Sequence, residues 1–154
     1  MCIFKNKWRK FTPTQKYLDT IKNITSINKL HLFIQSFTRK EDITDYWQTP
    51  EQTLNRKSYD CEDMAIFCQD VLKRIQGREA LFIIYNGTKK IECHAVCVFP
   101  YGGKLAFFSN KRLYYGYDSY IDIGHKYYSK LKQFIVYNHE GKVIKKKFKL
   151  IGTF

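Results

Sequence analysis

The sequence predicts a single α+β domain over residues 1–154, with N-terminal helices packed on an antiparallel β-sheet. Three observations carry this expectation. The hydrophobic period changes once, near Gly77, from helical to alternating spacing. No internal repeat and no Pro-, Gly- or Ser-rich linker divides the chain. The second half is β-rich and cut by short turn signals, Asn86-Gly87, Gly102-Gly103 and Glu140-Gly141. With 154 residues, 44% of them apolar, such a domain buries roughly two-thirds of its unfolded surface.

Taken in order, Tyr17, Leu18, Ile21 and Ile24 recur at helical spacing, with Pro13 at a start position, and predict a helix over 14–23. Ile27, Leu30, Ile34 and Phe37 repeat the pattern over 26–37. Asp45 to Glu51 reads as a loop entering a short helix, because Thr49 can cap it and Pro50 suits the first helical position. A longer helix is expected over 60–75, with the stripe Cys61, Ala65, Cys68, Leu72 and Ile75 and a stop at Gly77. Strands are expected over 80–85, 91–99 and 104–108, then a helix over 118–129 capped by Asp118, and a final hairpin over 133–137 and 142–150.

The 27 Lys and Arg residues against 14 Asp and Glu give a net charge of +13, which attracts anionic partners without choosing among nucleic acid, acidic protein and membrane surface. No segment approaches the ~20 apolar residues of a membrane span, and the start Met1-Cys2-Ile3-Phe4-Lys5 lacks the apolar stretch of a secretory signal. A cytoplasmic location is therefore expected, and five cysteines without a dense disulfide pattern suit a reducing compartment. Lys145, Lys146, Lys147 and Lys149 alternate with Phe148 and Leu150 as a solvated edge strand does. The 12 Tyr and 12 Phe follow core periodicity, which disfavours nucleic acid as the partner.

Chemistry centres on Cys61, at the start of the predicted central helix. A helix N-terminus supplies partial positive charge and free N–H groups that stabilise a thiolate. An imidazole on a strand beneath it, His94, would take the thiol proton and return it to a leaving amine. Against this stand two facts: unpaired cysteines on apolar stripes are commonly inert, and Asp60, Glu62 and Asp63 would raise the thiol pKa unless they point away, cap the helix or bind a cation. Cys68, Cys93 and Cys97 fit the inert description.

The segments Asp45-Tyr46-Trp47-Gln48-Thr49-Pro50-Glu51-Gln52-Thr53, Asp60-Cys61-Glu62-Asp63-Met64-Ala65 and Cys93-His94-Ala95-Val96 together resemble the bacterial transglutaminase-like cysteine proteinases in order and spacing. The resemblance covers about residues 26–138. It implies a papain/transglutaminase-like fold with the nucleophile at the start of the central helix, Cys61 as nucleophile and His94 as general base. The family's third residue, an aspartate within Leu-Asp-Asn, corresponds here to Ser109 within Phe108-Ser109-Asn110. A neutral amide oxygen can orient an imidazole as well, so Asn110 is the expected partner, with Ser109 the strict counterpart. Adjacent strand residues face opposite ways, so only one of the two is expected to point at His94.

Some family members hold calcium with the two acidic residues flanking the cysteine, and these are Asp60 and Glu62 here. Two carboxylates fall short of the 6 to 8 oxygens calcium takes, and N-capping by Asp60 explains the same residues, so no cofactor is required and calcium stays an option. A zinc site from Cys93, His94 and Cys97 is set aside, because strand alternation places His94 opposite both thiols. Trp47 is expected to pack over the central helix near the cleft. The implied activity is that of a cysteine peptidase or amidase working on a protein or peptide through an acyl-enzyme, with deamidation and transamidation sharing that intermediate. The alternative is a catalytically silent domain of the same fold that uses its positive charge to hold an acidic protein or nucleic acid.

Overall fold

A computed structural model describes residues 10–41, 47–89 and 93–148. Two short helices open the chain, α1 (Gln15–Ile21) and α2 (Ile27–Ile34). Thr14 caps α1 and Ser26 caps α2, each side chain accepting a backbone N–H three residues on. Pro13 thus lies before the cap of α1 and not at its first turn. The strand pair β1 (Thr38–Arg39) and β2 (Ser58–Tyr59) flanks α3 (Pro50–Arg56), which carries a capping box between Thr49 and Gln52. Strands of two residues are too short to leave a period in the sequence.

The central helix α4 (Cys61–Gln76) is buried continuously from Glu62 to Leu72 and ends at Gly77, whose φ of 63° is the left-handed stop a Cβ disfavours. One side of α4 packs under α2 and α3; the other lies on the sheet. Gln69 ties it down, its amide N–H donating to the carbonyls of Ala80 at 2.9 Å and Tyr137 at 3.2 Å.

The sheet is formed by β3 (Leu81–Gly87), β4 (Cys93–Tyr101), β5 (Lys104–Ser109), β6 (Arg112–Tyr117), β7 (Leu131–Tyr137) and β8 (Val143–Phe148). Its order is β6-β5-β4-β3-β7-β8, antiparallel throughout. The α+β class and the helices-on-sheet arrangement expected from the sequence are what the chain adopts, with Cys61 as the first residue of α4. Strand alternation splits the core in two. Ala95, Cys97, Phe99 and Phe108 face α4, while Val96, Val98 and Phe107 face the opposite side with Ile123.

That second side is covered by α5 (Tyr120–Tyr127). A Cβ at Gly124 would stand 2.7 Å from Leu131 and from Tyr85, so glycine is what lets α5 lie this close to the sheet. The Tyr85 hydroxyl fastens it by donating to the Tyr120 carbonyl at 2.6 Å.

Three expectations are corrected. Asn86 and Gly87 are not a turn but the end of β3, held in register with β7 across a bulge. Ser119, not Asp118, caps α5; Asp118 is exposed and pairs with Lys104 at 3.1 Å. Strand β6 was not anticipated, since Leu113-Tyr114-Tyr115-Gly116-Tyr117 shows no clean alternation. Lys145, Lys146 and Lys147 are exposed on the sheet-edge strand β8, while Lys149 and Leu150 lie outside the described residues. No helix among the described residues is long and apolar enough to cross a membrane.

Candidate active site

Asp60 and Asp63 close a capping box at the start of α4: the Asp63 N–H donates to Asp60 Oδ1 at 3.0 Å, and the Asp60 N–H to Asp63 Oδ2 at 3.2 Å. Asp63 also accepts from Gln48, through the backbone N–H at 2.8 Å and the side-chain amide at 2.9 Å. The entry segment is thereby strapped to the helix that carries Cys61. Burial, with Asp60 beside it, pushes Asp63 up to about 8 against the pull of these donors.

The third acid behaves differently. Glu62 does not point away; its Oε2 accepts the Cys61 thiol hydrogen at 3.0 Å. Burial pushes the Cys61 thiol well up, and the neighbouring Glu62 carboxylate adds to the rise, with the Ala95 N–H pulling the other way. Glu62 is itself raised, by burial and by the charge of Asp60.

His94, the residue before Ala95, turns its ring to the other side of the strand. Its Nε2 lies 2.8 Å from Ser109 Oγ, and Tyr127 packs on the ring at a centroid separation of 4.4 Å. Burial and then the Arg39 guanidinium bring the imidazole down to about 4, so it is neutral at pH 7 with one ring nitrogen unprotonated. The hydrogen bond of Cys61 runs to Glu62 and that of His94 to Ser109; no hydrogen bond joins the two. Alternation is the reason, since consecutive residues of β4 face opposite sides. The β4–β5 ladder begins only at Cys97 and Phe108, so on its β5 side the His94-Ala95 end of the strand has no ladder partner.

Ser109 is buried and is the imidazole's partner here. Asn110, the partner expected from the sequence, takes a left-handed φ of 53° that ends β5 and opens the turn to β6. Its Oδ1 is buried without a hydrogen-bond partner among the described residues. Cys68 and Cys97 are fully buried free thiols on the α4 side, raised by burial. Cys93 differs from the reduced state expected of all five cysteines: it is half-buried and disulfide-bonded.

For a cation, the expected pair is Asp60 and Glu62, and no group of three His, Cys, Asp or Glu suited to a metal occurs among the described residues. Asp60 is occupied in capping α4 and Glu62 in accepting the thiol hydrogen. This donor set does not by itself make a calcium site.

Trp47 packs edge-on against Phe82 and Tyr137, at 5.1 and 5.8 Å between ring centroids. It forms a wall of a cavity of about 550 Å³ shared with Phe11, Asp70 and Arg74, which neither Cys61 nor His94 lines. Two residues near His94 escaped the sequence reading, Arg39 and Tyr127. Neither left a signal: Arg39 is one of 27 basic residues and Tyr127 one of 12 tyrosines.

No family model and no curated protein matches this chain. Among solved structures it is similar to Legionella pneumophila LapG, with 18% identity and a TM-score of 0.48, covering 63% of this chain and 61% of that one. It is likewise similar to calcium-bound Legionella pneumophila LapG, with 18% identity, a TM-score of 0.46 and the same coverage. The chain spans about three-fifths of the length of these solved chains. Likeness of this degree leaves the chemistry to be argued from the residues themselves.

Proposed function

We propose that this chain is a transglutaminase-like thiol hydrolase that cleaves peptide or amide bonds through an acyl-enzyme on Cys61. The observation that supports this most is the position of the thiol: the partly buried first residue of a long buried helix that packs on the strand carrying a neutral imidazole. A merely structural cysteine needs none of these neighbours.

Cys61 in the resting chain is a thiol, not a preformed thiolate. Attack therefore follows rotation of the sulfur off Glu62 towards the open end of β4, where the His94 ring turns to meet it. The unprotonated ring nitrogen takes the thiol proton as the C–S bond forms at the substrate carbonyl. The Cys61 N–H, one of the donors a helix start leaves without an intrahelical acceptor, faces the developing oxyanion. The imidazolium then protonates the leaving amine as the C–N bond breaks, and water, deprotonated by the same imidazole, hydrolyses the thioester. Transfer to an amine in place of water would make the same intermediate a transamidase. Asp60 and Glu62 are the pair a calcium ion would take, completed by carbonyls or water, and no step above needs it.

Mapping iodoacetamide adducts by mass tests the pairing. Cys61 labels ahead of the other cysteines, and His94→Ala slows it on the order of a hundredfold. Labelling of Cys61 at an unchanged rate in His94→Ala would remove the imidazole from the chemistry.

The second reading, a silent basic binding module in the cytoplasm, is favoured by one observation: Glu62 and Ser109 each occupy one member of the pair. It predicts salt-sensitive binding of an acidic protein or nucleic acid that survives Cys61→Ala.

A further inference from the structure

The cavity beside Trp47 is lined by a different face of α4 from the stripe that carries Cys61. Ile66, Gln69, Asp70 and Arg74 stand at i, i+3, i+4 and i+8, the spacing of one helix face, and all four line it. Its volume of about 550 Å³ falls within the roughly 300–1,000 Å³ of ligand sites. Trp47, Phe11 and Ile66 give it an apolar side.

Three polar side chains on the wall have unspent hydrogen-bonding capacity. Arg74 uses one edge of its guanidinium on Asp70, with Nε donating at 3.2 Å and Nη2 at 2.9 Å. A guanidinium is a planar fork of five N–H donors, so the outer edge, formed by Nη1 and the second N–H of Nη2, is left without an acceptor among the described residues. Asp70 fixes the group from one side, and the Phe11 ring centre lies 5.7 Å from Arg74 Cζ. Gln48 and Gln69 are buried, yet the side-chain oxygen of each lacks a hydrogen-bond partner among the described residues. Flipping the amides would not help. Gln48 Nε2 is committed to Asp63 at 2.9 Å, and Gln69 Nε2 to the Ala80 and Tyr137 carbonyls. Both oxygens therefore remain buried acceptors in want of a donor, a condition folded proteins rarely leave unmet. Among the charges on the wall, Asp70 is matched by Arg74 and Glu140 by Lys142 at 3.4 Å, which leaves Lys10 over and favours an anion.

We propose that this cavity is a second binding site, for a carboxylate that carries a neighbouring amide N–H and a large apolar side chain, the chemistry of a peptide C-terminus or of a free N-acyl amino acid. The outer edge of Arg74 takes the carboxylate bidentately, a glutamine oxygen takes the amide N–H, and the side chain packs on Trp47 and Phe11. Asp70 holds Arg74 in place before the ligand arrives, which lowers the cost of binding. The site rests on no step of the thiol chemistry. It meets the Cys61 end of α4 at one point, because Gln48 also holds Asp63 of the capping box.

Titration of the ¹⁵N-labelled full chain with N-acetyl-phenylalanine, with its carboxamide and with 3-phenylpropanoate, which lacks the amide, separates the parts of the recognition. N-acetyl-phenylalanine should shift the Trp47 indole and Arg74 Nε–H signals saturably, with a Kd on the order of 1 mM. The carboxamide should bind about tenfold more weakly, and 3-phenylpropanoate several-fold more weakly. Arg74→Lys keeps a charge beside Asp70 but loses the fork, so it should weaken the acid about tenfold and leave the carboxamide unchanged. If that variant loses its amide dispersion, the contrast between acid and carboxamide on the wild type still decides. Acetyl-Ala-Ala-Phe with a free carboxylate distinguishes the sources: tighter binding than N-acetyl-phenylalanine assigns the site to a peptide C-terminus, and equal binding assigns it to the free N-acyl amino acid. Equal binding of acid and carboxamide, shifts confined to the lysines of β8, or shifts that never saturate overturn the proposal. Cys61→Ala should bind as the wild type does, so the site stands or falls separately from the hydrolase reading.

Discussion

Helix α4 holds two buried acidic sites two to three turns apart, and they are built on opposite principles. At mid-helix, Asp70 is surrounded by donors: Tyr17 at 2.7 Å, Arg74 at 2.9 and 3.2 Å, and His139 at 2.8 Å. These bonds hold its carboxyl below the usual range although burial opposes them. At the N-terminus, Asp60, Glu62 and Asp63 crowd together, and both Glu62 and Asp63 are raised by burial and by the charge of Asp60. The first site is complete within the fold, with the carboxylate's charge matched by Arg74. The second holds two raised carboxyls beside a partly buried thiol, the kind of perturbed cluster that marks a candidate functional site.

The two sites should answer substitution differently. Asp70→Ala removes a buried, multiply bonded charge and leaves Arg74 unpaired. It should destabilise the fold by about 3 kcal/mol, lowering Tm by roughly 10 °C without altering Cys61 labelling. The folded carboxyl of Asp70 is depressed, so its contribution is present above the unfolded value of about 3.9 and is lost as pH falls through the folded one. Asp70→Ala therefore flattens the loss of stability in acid, as chemical denaturation at pH 3 to 5 would reveal. A fold as stable as the wild type would mean that Asp70 is not the anchor described.

Glu62→Gln acts at the other end and should spare stability. It removes the charge that raises the thiol, so Cys61 labelling at pH 7 should quicken about tenfold, the equivalent of one unit of thiol pKa. Here the linkage runs the other way. A carboxyl raised above its unfolded value costs stability as pH rises between the two, so Glu62→Gln should be the more resistant chain on the alkaline side. Equal labelling of wild type and variant would show that the carboxylate does not restrain the sulfur.

The sequence made α4 and its neighbours readable because each signal was local: the Asp60 cap, the Thr49-Pro50 start, the Gly77 stop and the change of period. Cys61 and His94 were legible as candidates for the same reason. What escaped depended on contacts remote in sequence. The Ser109–His94 bond spans 15 residues, and Tyr127 meets His94 only because Gly124 lets α5 lie flat on the sheet. The choice between Asn110 and Ser109 turns on a backbone event, the left-handed turn that takes Asn110 out of the strand, which the residue types alone leave open. Which oxygen Cys61 would face was likewise invisible, since Asp60, Glu62 and Asp63 differ in role only once the capping box forms.

The central claim, that Cys61 carries an acyl group in turnover, is tested most directly by treating the chain with p-nitrophenyl acetate, quenching in acid and mapping the adduct by mass. The account predicts an acetyl thioester on Cys61 of the wild type that is absent from Cys61→Ala and strongly reduced in His94→Ala. Nitrophenol released at the same rate by Cys61→Ala, with no acetyl group on Cys61 of the wild type, would contradict it.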